Sequence, residues 1–284
     1  MSQVIDSHAH LWRAGDGLRP WLTQSGLERI NRTFTADELC ARSSLAGVDG
    51  VILVEGGASH ASDTATLRKV ASRSERFVGV VAWVDIVAPD LRTQLDEILE
   101  DASAGRVIGV RTQVQEETDD YLESPIVKSG IATVGDAGLP FELVLRPSQR
   151  SSALALITGQ PATTFIVDHL GAPVPGISGR PAPGWQRWMA ELARRSNVVV
   201  KLSGLPRTDH GRSGDIVRRH VDVALDTLGP SRLLWGSDWP VSLLHSSYAR
   251  TFALARSLVG ALSAGERAQV FGQTAERVYG LRSG

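Results

Sequence analysis

The sequence predicts an α/β fold, a single (β/α)8 barrel running over residues 1–284. Three observations point there. Short β-branched or apolar runs alternate with longer helical patterns about eight times along the chain. Several runs are almost continuously apolar, as strands are when both faces of a parallel sheet are covered. Connections into the strands are short, whereas connections out of them are long and rich in Gly and Pro.

The eight runs are residues 4–7, 51–55, 77–84, 108–111, 141–145, 165–168, 198–202 and 232–236. Between the first two, Thr35-Ala36-Asp37-Glu38 has the form of a capping box, and Gly47 stands where that helix should stop. Residues 89–102 place Leu91, Leu95, Ile98 and Leu99 at helical spacing, and residues 185–195 and 216–228 read the same way. Turns into strands are as brief as Gly138-Leu139 and Gly229-Pro230. Long connections follow strand one (residues 11–34), strand six (171–184) and strand seven (204–214). Long loops on one rim are what a barrel enzyme shows, because its site is built after the strands. A doubly wound open sheet shares the alternation, and periodicity does not separate the two.

Composition bounds the function. Of 284 residues, 42% are hydrophobic and 21% charged, and the formal net charge is -1 with no block of like charges. That pattern lacks the basic footprint of a nucleic-acid or membrane-surface partner. Cys40 is the only cysteine, so no intrachain disulfide forms; it reads as a half-buried helix residue. No apolar stretch reaches the 18 or so residues of a membrane span. Residues 1–3 carry no basic segment of a signal peptide, and a cytoplasmic location is the expectation. Homo-oligomerisation is left open.

The chemistry concentrates at strand ends. In Ile5-Asp6-Ser7-His8-Ala9-His10 the two histidines are two apart, so both imidazoles face one side and form half of a transition-metal site. Asp238, in Trp235-Gly236-Ser237-Asp238-Trp239-Pro240, follows the last strand, which in a closed barrel lies beside the first. Its carboxylate can bind the same metal or act as general base on a water. His169 ends strand six and can ligate a metal or donate to a carbonyl oxygen. Lys201 ends an apolar strand, either as a functional cation or as the partner of a carboxylate locking two strands. Arg111 and Arg146 are further rim cations, Arg111 placed for bidentate contacts to substrate, and Glu55 ends strand two as a candidate polar contact. His60, His220 and His245 read as surface or packing residues.

Taken together these motifs resemble the amidohydrolase-related metal-dependent hydrolases of TIM-barrel fold. Within them the chain is similar to the sugar-lactonase and 2-pyrone-4,6-dicarboxylate-lactonase branch. The resemblance rests on residues 5–12, 79–85, Gly109-Val110-Arg111, residues 167–173, 200–205 and 235–241, and the C-terminal Val270-Phe271 and Ala275-Glu276-Arg277-Val278-Tyr279. It implies hydrolysis of a small lactone, either a sugar acid lactone or a carboxylated catabolic one. It also implies a site lined by His8, His10, His169 and Asp238, with Asp238 as proton-transfer group and Arg111 on the substrate. No lysine ends strand four or five to bridge two metals, so a binuclear centre is not expected, and Lys201-Leu202-Ser203 stands where a further histidine often falls.

The expected centre is therefore one divalent ion, zinc in the first instance, on His8, His10 and Asp238, with His169 and Arg111 orienting substrate. In a metal-free version the three histidines donate hydrogen bonds and Asp238 alone activates water. Arg146, Glu55 and Lys201 complete the expected substrate contacts. The rival chemistry is metal-dependent, non-oxidative decarboxylation of an aromatic or dienoic acid.

Overall fold

The structure, a computed structural model, describes residues 3–101, 104–174, 179–206 and 214–281. Most of the loop expected after strand seven (207–213), part of that after strand six (175–178) and the expected helix end at Ala102 lie outside the described residues. Eight parallel strands run in the order β1 to β8: Ile5–Ala9, Gly50–Val54, Phe77–Ala82, Val107–Thr112, Phe141–Leu143, Phe165–Val167, Val198–Leu202 and Leu233–Trp235. A bridge between Ala9 and Trp239 brings the two sheet edges together, so the barrel is closed rather than open. One long helix follows each strand: α1 (Ala36–Ala46), α2 (Ala61–Ala71), α3 (Leu91–Glu100), α4 (Pro125–Asp136), α5 (Arg150–Gly159), α6 (Pro183–Ala193), α7 (Asp215–Leu228) and α8 (Tyr248–Leu258). A C-terminal helical segment ends with Thr274–Val278. No helix among the described residues is long and apolar enough to cross a membrane.

Local signals held with one exception. Thr35 Oγ1 accepts the Glu38 N–H, and Gly47 takes the left-handed φ of 78° that ends α1. The return half of the capping box is not made. Glu38 instead forms a two-pronged pair with Arg32, at 2.8 and 2.9 Å, because a guanidinium outbids the single N-cap amide.

The barrel interior is layered. At one end Ile5, Ile52, Val54, Val81, Ile108, Ile166, Val199 and Leu234 form an apolar cluster joined by Ala275 and Tyr279 of the C-terminal segment. Further along the barrel the inward positions turn ionic: Arg111 of β4, Glu142 of β5, Asp168 just past β6 and Lys201 of β7, all buried. A larger cluster of buried residues packs the strands' outer faces against the helices. Strand β1 departs from plain alternation. Ile5 lies inside, whereas Asp6 reaches Tyr248 of α8, and a register shift between Asp6 and Ala9 turns His8 and His10 inward.

Candidate active site

The last strand hands Asp238 to the first. The Asp238 N–H donates to His8 O at 2.8 Å and the His10 N–H to Trp239 O at 2.7 Å. Gly236 makes this approach possible, since a Cβ there would stand 2.5 Å from His8 Cβ. Asp6 fastens the same junction from outside, accepting from Ser237 N at 2.8 Å and Tyr248 OH at 2.9 Å. Burial raises the Asp6 pKa, against the pull of those donors.

Asp238 faces both strand-one histidines: its Oδ1 lies 3.6 Å from His10 Nε2 and 3.9 Å from His8 Nε2. Although burial pushes its carboxyl up, His169, His10 and His8 outweigh that and hold it well below the usual carboxylate range. His10 Nδ1 donates to the Val54 carbonyl at 2.9 Å, which fixes the ring with Nε2 facing Asp238. His8 is fully buried, and that burial lowers its pKa well below the ordinary value. His169 Nδ1 sits 2.7 Å from Ser203 Oγ, and Gly204 gives its ring room, a Cβ there coming within 3.2 Å of Nδ1. His169 and Asp238 both hold left-handed backbones, φ 53° and 56°. Non-glycine residues are kept so at a cost of about 1–3 kcal/mol each, only where surroundings enforce it.

Beneath lies a buried ion network. Lys201 Nζ donates to Glu142 Oε2 at 2.6 Å, stands 3.4 Å from Asp168 Oδ1 and meets His8 Nδ1 at 3.0 Å. Arg111 donates to Glu55 Oε1 at 2.7 Å and Asp168 Oδ2 at 3.0 Å, and its other Nη lies against the Glu55 carbonyl. Tyr279 OH donates to Glu142 Oε1. Burial and the Asp168 charge raise the Glu142 pKa, in spite of Lys201 and Arg111. Burial also opposes ionisation of Asp168, but Lys201, His8 and Arg111 keep it well below the usual range.

Above the network opens a cavity of about 510 Å³. His10, Arg111, His169 and Asp238 line it with Trp12, Trp21, Gln24, Gln113, Gln115, Glu116 and Glu117. Four of the residues expected at the site are thus brought to one mouth, with His8 fully buried behind them. Three others are placed differently. Lys201 and Glu55 are fully buried in the network and absent from the cavity lining. In place of the expected substrate contact each is held in an ion pair, Lys201 with Glu142 and Glu55 with Arg111. Arg146 turns away to hold the loop after β4, donating to Glu117 O at 2.6 Å and Asp119 Oδ1 at 2.8 Å. Sequence reasoning missed Glu142 and Asp168. Glu142 carried the signal that singled out Lys201, a charge inside an apolar run, and Asp168 directly precedes His169. It also missed Arg19, buried and paired with Asp63, whose Nε donates to Gly56 O at 3.2 Å and ties the loop after β1 to the one after β2.

Three donors, His8, His10 and Asp238, offer ligand atoms within 4.8 Å of one another. Ligand atoms 2.0–2.2 Å from one tetrahedral ion stand roughly 3.3–3.6 Å apart, so the His10–Asp238 pair already has a metal's spacing. The Nδ1–H to carbonyl bond of His10 is the outer contact that metal-binding imidazoles use. The residues present fit such an ion.

A parallel barrel with histidines and an aspartate converging at one mouth has the layout of a barrel hydrolase. The chain belongs to the amidohydrolase family, whose model matches residues 5–281. It is 32% identical to an L-fucono-1,5-lactonase of Burkholderia multivorans, over 98% of this chain and 96% of that one. Its fold is similar to that of a B. multivorans amidohydrolase with bound zinc, at TM-score 0.91 and 29% identity over 99% of this chain and 100% of that one. A probable 2-pyrone-4,6-dicarboxylic acid hydrolase of Acinetobacter baumannii with citric acid bound shares the fold at TM-score 0.78 and 18% identity, over 98% of this chain and 100% of that one.

Proposed function

We propose that this protein is a lactonase, opening a small neutral sugar acid lactone by attack of water on the ring carbonyl. The observation that carries the reading is the placement of the Asp238 carboxyl, its Oδ1 3.6 Å from His10 Nε2 at the edge of a cavity of small-molecule size. Likeness to a lactonase along nearly the whole chain supports it.

Asp238 Oδ1 takes the proton as water attacks the carbonyl, and returns it to the ring oxygen as the alkoxide leaves. His169, oriented through Ser203, donates toward the carbonyl oxygen as negative charge gathers there. Arg111, fixed by Glu55 and Asp168, adds positive potential to the same side. Glu55 and Lys201 act through Arg111 and His8 as positioning residues. His8, His10 and Asp238 would hold a divalent ion, for which the zinc-bound neighbour makes zinc the first candidate. Such an ion supplies Lewis acidity at the carbonyl.

The charge of the lining favours neutral substrates. Glu116, Glu117 and Asp238 are acidic, and the one guanidinium among the described lining residues, Arg111, is already paired with Glu55 and Asp168. Among the described lining residues a dicarboxylate lactone, or an aromatic acid awaiting decarboxylation, finds no uncommitted guanidinium or ammonium group. The test is steady-state hydrolysis of neutral five- and six-membered aldonolactones beside a pyrone dicarboxylate, with metal analysis and a chelator arm. Turnover of the aldonolactones is expected, and turnover of the dicarboxylate alone would overturn the substrate class.

A further inference from the structure

Three glutamines, Gln24, Gln113 and Gln115, line the cavity at the barrel mouth, and they are held differently. Gln24 is exposed, whereas Gln113 and Gln115, just past β4, are half-buried. Gln113 Nε2 donates to the buried carboxylate of Glu55. That carboxylate also accepts Arg111 Nε on Oε1 and the Gly57 N–H on Oε2, each at 2.7 Å. A carboxylate fixed by a guanidinium accepts and does not donate, so the Gln113 amide has one sense, nitrogen toward Glu55 and oxygen away. Its Oε1 then accepts Gln115 Nε2 at 3.2 Å. Orientation thus passes from Arg111 through Glu55 and Gln113 to Gln115, whose own Oε1 has no hydrogen-bond partner among the described residues.

The backbone of Gln115 is pinned as well. Arg146 donates to its carbonyl and, at 2.6 Å, to that of Glu117, while Gln149 Nε2 holds the Val114 carbonyl at 2.7 Å. Glu55 and Arg146, both expected at the substrate, therefore bear together on one amide in the cavity wall. Long side chains lose rotamer freedom when they are held, and an acceptor fixed before binding has none of that left to lose.

Such an oxygen selects a donor. Glu116 and Glu117 beside it disfavour an anion, and a neutral sugar ring offers hydroxyls. We propose that Gln115 is a specificity-determining residue: its Oε1 accepts the hydrogen bond of one ring hydroxyl, so the protein selects lactones that carry a donor at that position. The proposal rests on the lactone reading above for what enters the cavity.

Unhydrolysable lactams, with ring oxygen replaced by NH, separate binding from chemistry. Calorimetric titration compares a neutral six-membered aldonolactam with a series in which each hydroxyl in turn is replaced by hydrogen, or by fluorine, which cannot donate. The proteins are wild type, Gln115→Met, and Gln113→Met, which breaks the relay but keeps Gln115. At one ring position both replacements are expected to weaken binding to wild type about tenfold. That ratio should fall to near one in Gln115→Met and part of the way in Gln113→Met, with the other positions unmoved. Three results would overturn the assignment: no binding of the lactam, a fluorinated lactam that binds like its parent at that position, or a ratio that survives Gln115→Met while every lactam weakens alike, as a merely structural role would give. Turnover of the simple lactone by wild type is scored separately. Turnover without Gln115-dependent discrimination sinks the role of Gln115 alone, whereas discrimination without turnover counts against the lactone reading and leaves the hydroxyl contact standing.

Discussion

Lys201 Nζ lies 2.6 Å from Glu142 Oε2, and neither side chain touches solvent. The pair joins β7 to β5 across the barrel interior, and through Nζ it also holds His8 Nδ1 at 3.0 Å. A strand-end lysine is thus a strut under the site. Removing one partner leaves a buried charge without its counter-ion, which costs roughly 3–5 kcal/mol. Lys201→Met should lower unfolding stability by about that amount in a denaturant titration, and Lys201→Met with Glu142→Leu should recover much of it. A single variant as stable as wild type would show that the pair is not a strut.

Gly236 and His8 make the second close relationship. A Cβ at Gly236 would lie 2.5 Å from His8 Cβ and 3.0 Å from its backbone nitrogen, so one strand must move. Displacement by a fraction of an ångström moves His8 and Asp238 out of line together. Gly236→Ala should therefore lower kcat by roughly a hundredfold, with a smaller change in KM. The check is steady-state kinetics on protein whose circular dichroism matches wild type.

His220 gives the fold an acid-side sensitivity remote from the site. Its Nδ1–H donates to Ile216 O at 2.8 Å, its Nε2 is buried without a partner, and the ring meets Trp185 edge-on at 5.0 Å. Burial lowers its pKa below the ordinary 6.5, outweighing the Ile216 bond, and the nearby Arg150 adds to the lowering. Below pH 6.5 the unfolded chain binds this proton before the folded one does, so stability falls with falling pH from 6.5 down to the folded-state pKa. Thermal unfolding followed from pH 7.5 to 5 should show a declining midpoint, less steep in His220→Gln. An identical slope in the variant would remove His220 from the account.

Much of this was legible in the sequence because the barrel writes its pattern locally. Continuous apolar runs marked buried parallel strands, and the loops after strands one and six marked the functional rim. His8, His10, His169 and Asp238 were legible because each ends a strand and strand ends share one mouth. Less legible was anything fixed by which inward positions meet across the barrel. Glu142, from β5, meets Lys201 of β7 and Tyr279 near the C-terminus, a contact 137 residues apart that no local pattern encodes. Arg146 misled for a related reason. Its position just past β5 resembles that of Arg111 at the end of β4, but its guanidinium is captured by the backbone carbonyls of the neighbouring loop. The turn of β1 depends on a register shift rather than on side-chain alternation.

The central claim is that Asp238 is the group that moves the proton. Hydrolysis of a neutral aldonolactone by Asp238→Asn, measured by proton release beside wild type, tests it most directly. The amide keeps the shape of the carboxylate but cannot accept the proton, so kcat should fall by about 10²–10⁴ with KM changed little. Turnover of the lactone at the wild-type rate by Asp238→Asn would contradict the account.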